Sequence, residues 1–359
     1  MKARRLAEPM PTSATLALRP RHGRKIKSFA LLVGLAVLLA QSGNARSDEP
    51  VTIRAAWIVT PASLIPILLA PPGVARHEGK SYRFEPIHFA NSPTQITAIA
   101  NGDIEIATLN FTSIPSAVVN AGLTDLRIIA DETQDGIDNH ESVKYSVLKD
   151  SPIKTIEDLK GKVLATIGIG SATDIAMRAI LVKHGLEFQR DYTEVEALPP
   201  VATPMLLQHK ADLIALAVPF DQFPEFVDNT RLMFTMRDAM GGAELSVWLA
   251  RQGFIAKHRA ALVDLLEDMI RSYHWYADPA NHAAAVAILA NFLKQPPERV
   301  SGWAFTQKDF SRDPDGVPNM ALMQRNVDTT QSLGFIKTHV DMAKLADLSL
   351  VKEAGRRLK

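Results

Sequence analysis

Short apolar segments alternate with helical patterns along most of this chain, and the alternation restarts about halfway. The first series has strand patterns at Val51–Trp57 and Tyr82–Phe89, and the second opens at Lys162–Ile167, directly after Gly161. Strands separated by helices predict parallel sheets with helical crossovers. Because the alternation of strand and helix patterns starts again at Lys162–Ile167, a second sheet is predicted. The sequence therefore predicts an α/β protein with two doubly wound lobes and, because its last hundred residues are mainly helical in pattern, a helical C-terminal section.

The chain is predicted to cross between the lobes twice, near Asp150–Pro152 and near Glu244. We assign residues 50–149 to the first part of lobe 1 and residues 150–243 to lobe 2. Residues 244–359 return to lobe 1 and add the C-terminal helices. Two short crossings of this kind are expected to act as a two-strand hinge.

Residues 1–45 have the order of regions found in a secretory signal peptide. Five basic residues lie between Arg19 and Lys27, the apolar run Phe29–Ala40 follows, and Gly43 and Ala45 provide small residues for cleavage. The alternative is an uncleaved membrane anchor, but a run of 12 residues is shorter than the ~20 that span a bilayer as a helix. The sequence therefore predicts cleavage and export to the periplasm.

Composition excludes several classes of function. The chain has no Cys, which excludes thiol nucleophiles, disulfides and cysteine-ligated metals. It has 40 basic and 39 acidic residues, but eight basic residues and one acid fall in the first 45, so the remainder is mildly acidic. An acidic chain is not expected to bind nucleic acid. The ten His residues form no pair at metal-ligand spacing, so the sequence predicts no histidine metal site.

Candidate ligand contacts follow the strands, because open α/β sheets bind ligands beyond the carboxyl ends of their strands. Two loops place hydroxyls at a predicted helix start, with Ser92 and Ser171 as N-caps, and such a start attracts an anion or a strong acceptor. Asp131 and Glu132 follow a strand ending at Ala130 and are expected to be solvated. The candidate ligand-binding residues are Trp57, Thr60, Ser92, Thr94, Asn110, Thr112, Ser171, Thr173 and Phe220.

Five of these residues also have a purely structural interpretation. Ser92 and Ser171 can be simple helix caps, Asn110 can satisfy a turn, and Trp57 and Phe220 can be packing residues. Sequence alone leaves these alternatives open.

No catalytic motif stands out. The segment Gly168–Thr173 is similar to a dinucleotide-binding loop, but Thr173 stands where the third Gly would allow close helix–strand packing. The chain has no G-x-S-x-G motif. We therefore expect a protein that is not an enzyme.

Four segments resemble the periplasmic substrate-binding proteins of the nitrate/sulfonate/taurine group of ABC importers. They are Ala98–Ala107, Leu148–Lys162, Leu206–Phe220 and Leu333–Leu350, of which the second is the most specific. The resemblance implies two lobes of the type II binding-protein fold that enclose a ligand at their hinge. The candidate loops lack the basic residues of anion-binding members, which argues against nitrate and bicarbonate.

The resemblance implies a periplasmic component that delivers a small organic solute to an ABC permease in the inner membrane. The candidate solutes are a sulfonate, a carboxylate or a pyrimidine-like compound. The protein is expected to be a monomer with no metal and no organic cofactor. Two alternatives remain open at this point. One is a secreted enzyme on the same scaffold, and the other is a solute-binding sensor subunit of a membrane signalling system.

Overall fold

Two five-stranded sheets organise residues 49–359, the part of the chain that the computed structural model describes. The signal peptide predicted at residues 1–45 lies outside the described residues. No helix among the described residues is long and apolar enough to cross a membrane.

The first sheet is mixed. Its strands are β1 (Val51–Trp57), β2 (Tyr82–His88), β3 (Ile106–Asn110), β4 (Leu126–Asp135) and β10 (Ala243–Arg251). Their order is β2-β1-β3-β10-β4. β1 runs parallel to β2 and β3, whereas β10 runs antiparallel to both of its neighbours.

The second sheet repeats this arrangement. Its strands are β5 (Val143–Leu148), β6 (Val163–Thr166), β7 (Thr193–Glu196), β8 (Leu213–Ala217) and β9 (Thr230–Thr235), in the order β7-β6-β8-β5-β9. β6 is parallel to β7 and β8, and β5 is antiparallel to β8 and β9. In each sheet the antiparallel strand is the one that enters from the other lobe, so it needs no helical crossover. The two predicted α/β lobes are confirmed, but neither sheet is fully parallel.

β5 corrects the predicted position of the first crossing. The sequence analysis placed Val143–Leu148 in the first lobe, before a crossing at Asp150. In the structure Tyr145 pairs with Ala215 of β8 and Phe234 of β9, so the strand belongs to the second sheet. The first crossing therefore lies upstream, between the end of β4 and the start of β5.

The two crossings are in contact. Gly136 follows β4 and Gly242 precedes β10, with φ of +70° and +98°. A Cβ atom on Gly242 would lie 2.7 Å from Ile137 Cδ1, and one on Gly136 would lie 3.0 Å from Gly242 Cα. Both positions require glycine, because they combine left-handed backbone with close packing.

Helices cover the sheets and form most of the C-terminal section. The prediction of a helical C-terminal section is therefore confirmed. The longest helix packs on the first sheet through buried residues such as Leu262 and Met269, and its backbone breaks at His258. The helices are α1 (Ser92–Asn101), α2 (Ala172–Lys183), α3 (Pro199–Leu207), α4 (Pro224–Val227), α5 (Met236–Met240), α6 (Gln252–Ala277), α7 (His282–Leu293), α8 (Met320–Ser332) and α9 (Ser349–Arg357).

Candidate functional site

A cavity of about 320 Å³ lies between the two lobes. Asn110 at the end of β3 lines it from the first lobe, and Ile167 and Val218, which follow β6 and β8, line it from the second. Its position beyond the carboxyl ends of parallel strands is where α/β sheets bind ligands. The wall is mainly aliphatic, with hydroxyl groups at intervals.

Five of the residues predicted to bind ligand are brought together in this wall. They are Ser92, Asn110, Ser171, Thr173 and Phe220, and they come from both lobes. Whether they contact a ligand remains a prediction.

Local hydrogen bonds hold two of these side chains in place. Asn110 Oδ1 accepts hydrogen bonds from the amide of Ser113 and the hydroxyl of Thr112, at 2.9 and 2.8 Å. Ser171 is the N-cap of α2, as predicted, and its Oγ accepts from the amide of Asp174 at 3.2 Å.

Ser92 is not the N-cap of α1. Asn91 takes that role, and its Oδ1 accepts from the amide of Thr94 at 3.1 Å. Ser92 is the first helical residue instead, and it forms part of the cavity wall.

The other four predicted residues do not line the cavity. The Trp57 ring packs against His88 and against Phe292 of α7, with ring centroids 4.5 and 5.6 Å apart. Thr60 is buried. The remaining two make local bonds, because Thr94 Oγ1 donates to the carbonyl of Asn91 and Thr112 Oγ1 donates to Asn110.

Glu132 is a cavity residue that the sequence analysis missed. It was expected to be solvated, but β4 continues five residues past Ala130, and the Glu132 side chain is buried, with 2 % of the residue exposed. Burial raises the pKa of Glu132 to about 7, although the nearby Ser63 hydroxyl and Arg312 guanidinium lower it. The one feature of the sequence that could have indicated this residue was the acid-rich segment directly after an apolar strand.

A pair of buried carboxyls lies beside Glu132. Asp131 and Glu244 are fully buried on the neighbouring strands β4 and β10. Burial raises the pKa of Asp131 to about 6, and burial together with Asp131 raises the pKa of Glu244 well above its usual value. Burial and the mutual repulsion of the two carboxylates both disfavour the state in which Asp131 and Glu244 are ionised together.

Among residues 49–359, one group of side chains has metal-ligand spacing. His77 lies 3.9 Å from a carboxylate oxygen of Asp264 and 3.3 Å from one of Glu267. Arg357 already pairs with Asp264 at 2.8 Å, and Arg271 pairs with Glu267. Because these guanidinium groups neutralise the carboxylates, the group gives no support for a metal site.

Solved structures with the same fold bind small solutes or act on them. The chain is 19 % identical to the periplasmic aliphatic sulphonate-binding protein SsuA from Escherichia coli, covering 82 % of this chain and 91 % of that chain with a TM-score of 0.67. It is 15 % identical to the periplasmic nitrate-binding protein NrtA from Synechocystis PCC 6803, covering 87 % and 90 %, with a TM-score of 0.65. The desulfurization enzyme DSZB is also 15 % identical, covering 86 % and 100 %, with a TM-score of 0.63. These similarities confirm the type II binding-protein fold.

The family comparison is more direct. No curated protein sequence matches the chain. Residues 47–290 match the model of the NMT1-like family, which confirms the resemblance predicted from the sequence. The chain belongs to the NMT1-like family.

Proposed function

We propose that this chain is the periplasmic solute-binding component of an ABC importer and is not an enzyme. The observation that carries the proposal is the cavity between the lobes, lined by Asn110 on one side and Ser171 on the other. A solute held by groups from both lobes binds best when the lobes are closed, and closure shifts with occupancy. SsuA and NrtA, which share the fold, are described as periplasmic binding proteins.

The predicted signal peptide supports export, and the closed form is expected to dock on a permease in the inner membrane. We propose that the protein works as a monomer, because both halves of the cavity come from one chain. No described cavity residue is a His, Lys or Arg, and Glu132 is the one ionisable group in the wall.

Mass spectrometry of protein purified from the periplasm tests this function. One small molecule is expected to leave the protein on denaturation and to stay chemically unchanged when incubated with the refolded protein. A molecule that is altered during incubation would establish the enzyme alternative, for which DSZB is the precedent in fold.

A pair of variants on one helix links the molecule to the cavity. Ser92→Trp fills cavity space at the start of α1 and should abolish co-purification. Thr94→Trp adds the same side chain at an exposed position outside the wall and should leave co-purification intact. If both variants retain the molecule, the cavity is not the binding site.

A further inference from the structure

The charge on the cavity wall indicates what the solute is. Glu132 is the one residue with an ionisable charge near neutral pH among the described residues that line the cavity. It is nearly fully buried there, and an ionised carboxylate without a partner is costly in an apolar wall. A buried carboxyl either holds its proton or is paired, so a cationic partner inside the cavity would stabilise the ionised form of Glu132.

The protein itself satisfies only part of this carboxylate. Glu132 Oε2 lies 3.4 Å from Ser246 Oγ, whose hydroxyl also bonds with Thr133 Oγ1 at 2.7 Å. Glu132 Oε1 is buried without a hydrogen-bond partner among the described residues. The Ser63 hydroxyl also lies close enough to lower the pKa of Glu132, so a donor from the solute would add to or replace these hydroxyl contacts.

Arg312, the cation that acts on Glu132, does not form a hydrogen bond with its carboxylate. Arg312 lowers the pKa of Glu132 through space, but its guanidinium donates to main-chain carbonyls of Pro61, Ala62 and Phe310, and it lies outside this cavity wall. Asp131 acts in the opposite direction and adds negative potential behind Glu132. An anionic head group would meet this potential with no basic side chain in the wall to bind it.

The rest of the wall suits a compact organic body. Phe220 and Phe310 are both part of it, together with small aliphatic residues, and aromatic faces attract flat rings and cations. A planar amidine or an amino-substituted heterocycle offers two parallel N–H groups to one carboxylate, which is the strongest geometry for such a pair.

We propose that the solute is a small organic cation with paired N–H donors, such as an amidine, whose N–H groups bind Glu132. This inference rests on the proposed solute-binding function. It separates this chain from sulphonate- and nitrate-binding proteins of the same fold.

Three probes of similar size and different charge test the inference in calorimetric titrations at pH 8. Benzamidine is a cation with paired N–H donors, benzamide is neutral, and benzenesulfonate is an anion. Benzamidine is expected to bind at least about tenfold more tightly than benzenesulfonate. Glu132→Gln should weaken benzamidine binding by about ten- to hundredfold and change benzamide binding little.

Glu194→Gln is the matched control, since Glu194 of β7 is another buried carboxyl whose pKa is raised to about 7, and it lies outside the cavity wall. It should leave benzamidine affinity within about twofold of wild type. The fitted stoichiometry reports the competent fraction, so a misfolded variant cannot imitate a loss of affinity.

Three results would overturn the inference: tighter binding of benzenesulfonate, benzamidine affinity that does not depend on Glu132, or no benzamidine binding at millimolar concentration. All three leave the solute-binding function standing. That function fails separately, if the co-purified molecule is chemically altered.

Discussion

Ser171 uses one hydroxyl both to begin a helix and to line the cavity. Its Oγ accepts from the amide of Asp174 and lies 2.9 Å from the hydroxyl of Thr173. Ser171→Ala should lower the free energy of unfolding by about 1 kcal/mol through the lost cap and should also weaken solute binding. Ser171→Asn restores the cap, so thermal unfolding should recover while affinity stays low. Equal affinity in all three proteins would remove Ser171 from the site.

Trp57 should behave in the opposite way, because the structure places its ring in the packing between β1 and α7. Trp57→Ala should lower the free energy of unfolding by about 2–4 kcal/mol and leave the affinity of the folded fraction for the co-purified solute unchanged. Phe220→Ala is the comparison, since Phe220 lines the cavity, and it should weaken binding with a smaller loss of stability. Denaturant unfolding and calorimetry separate the two effects. Loss of affinity in the Trp57 variant would return this residue to the site.

The difference between these residues shows how far sequence reasoning reaches. Asn110 and Ser171 were predicted because strand ends that carry polar residues meet at one edge of a parallel sheet. Glu132 was missed because its burial depends on distant sequence. Gln134, two residues on, pairs with Ser311, and Asp313 donates from its amide to Asp131. A polar run looks like a loop until the segment that covers it is known.

At the scale of elements, β4 and β10 are joined by the buried pair Asp131 and Glu244. Both carboxyls have a raised pKa in the folded protein, so the folded state holds protons more tightly than the unfolded chain. Their contribution to stability is fully present below about pH 4 and is lost as pH rises through about 6 and above. The free energy of unfolding should therefore fall over this interval.

Glu244→Gln should remove much of that loss. A glutamine oxygen can still accept from the side chain of Gln134 and the amide of Asn319, while its NH₂ group donates to Asp131. The variant should be about 1–3 kcal/mol more stable than wild type above pH 7, with a flatter pH profile. Glu85→Gln, at an exposed position of β2, should follow wild type. If Glu244→Gln destabilises the protein at pH 8, the pair is ionised and held by other groups.

The β-sheet topology was harder to predict from the sequence than the alternation of strands and helices. Both return strands, β5 and β10, carry the same apolar pattern as the parallel strands beside them. Nothing local in Val143–Leu148 reveals that it pairs antiparallel with residues about 70 and 90 positions further along the chain. The lobe pattern follows from periodicity, whereas the crossing point follows from long-range pairing.

On the scale of the whole molecule, the lobes also touch through a segment that neither crosses the hinge nor lines the cavity. Asn326 of α8 bonds with the carbonyl of Gly242 at the second crossing. Phe335, just after α8, lies with its ring 5.0 Å from the guanidinium of Arg178 on α2 in the other lobe. If the lobes separate about the crossings, this contact has to break.

Phe335→Ala should therefore shift the protein toward an open form. A partly exposed cation–π contact contributes about 0.5–1 kcal/mol, so solute affinity should fall by about two- to fivefold although Phe335 lies outside the cavity wall. Small-angle scattering should give a larger radius of gyration for the free variant than for free wild type, and saturating co-purified solute should bring the two together. Leu232→Ala is the control, because it removes an apolar side chain of comparable exposure from β9: Leu232 is 46 % exposed and Phe335 is 36 % exposed. It should change neither the solute affinity nor the radius of gyration. Scattering curves and affinities that match wild type in the Phe335 variant would mean that the crossings alone set the balance between open and closed forms.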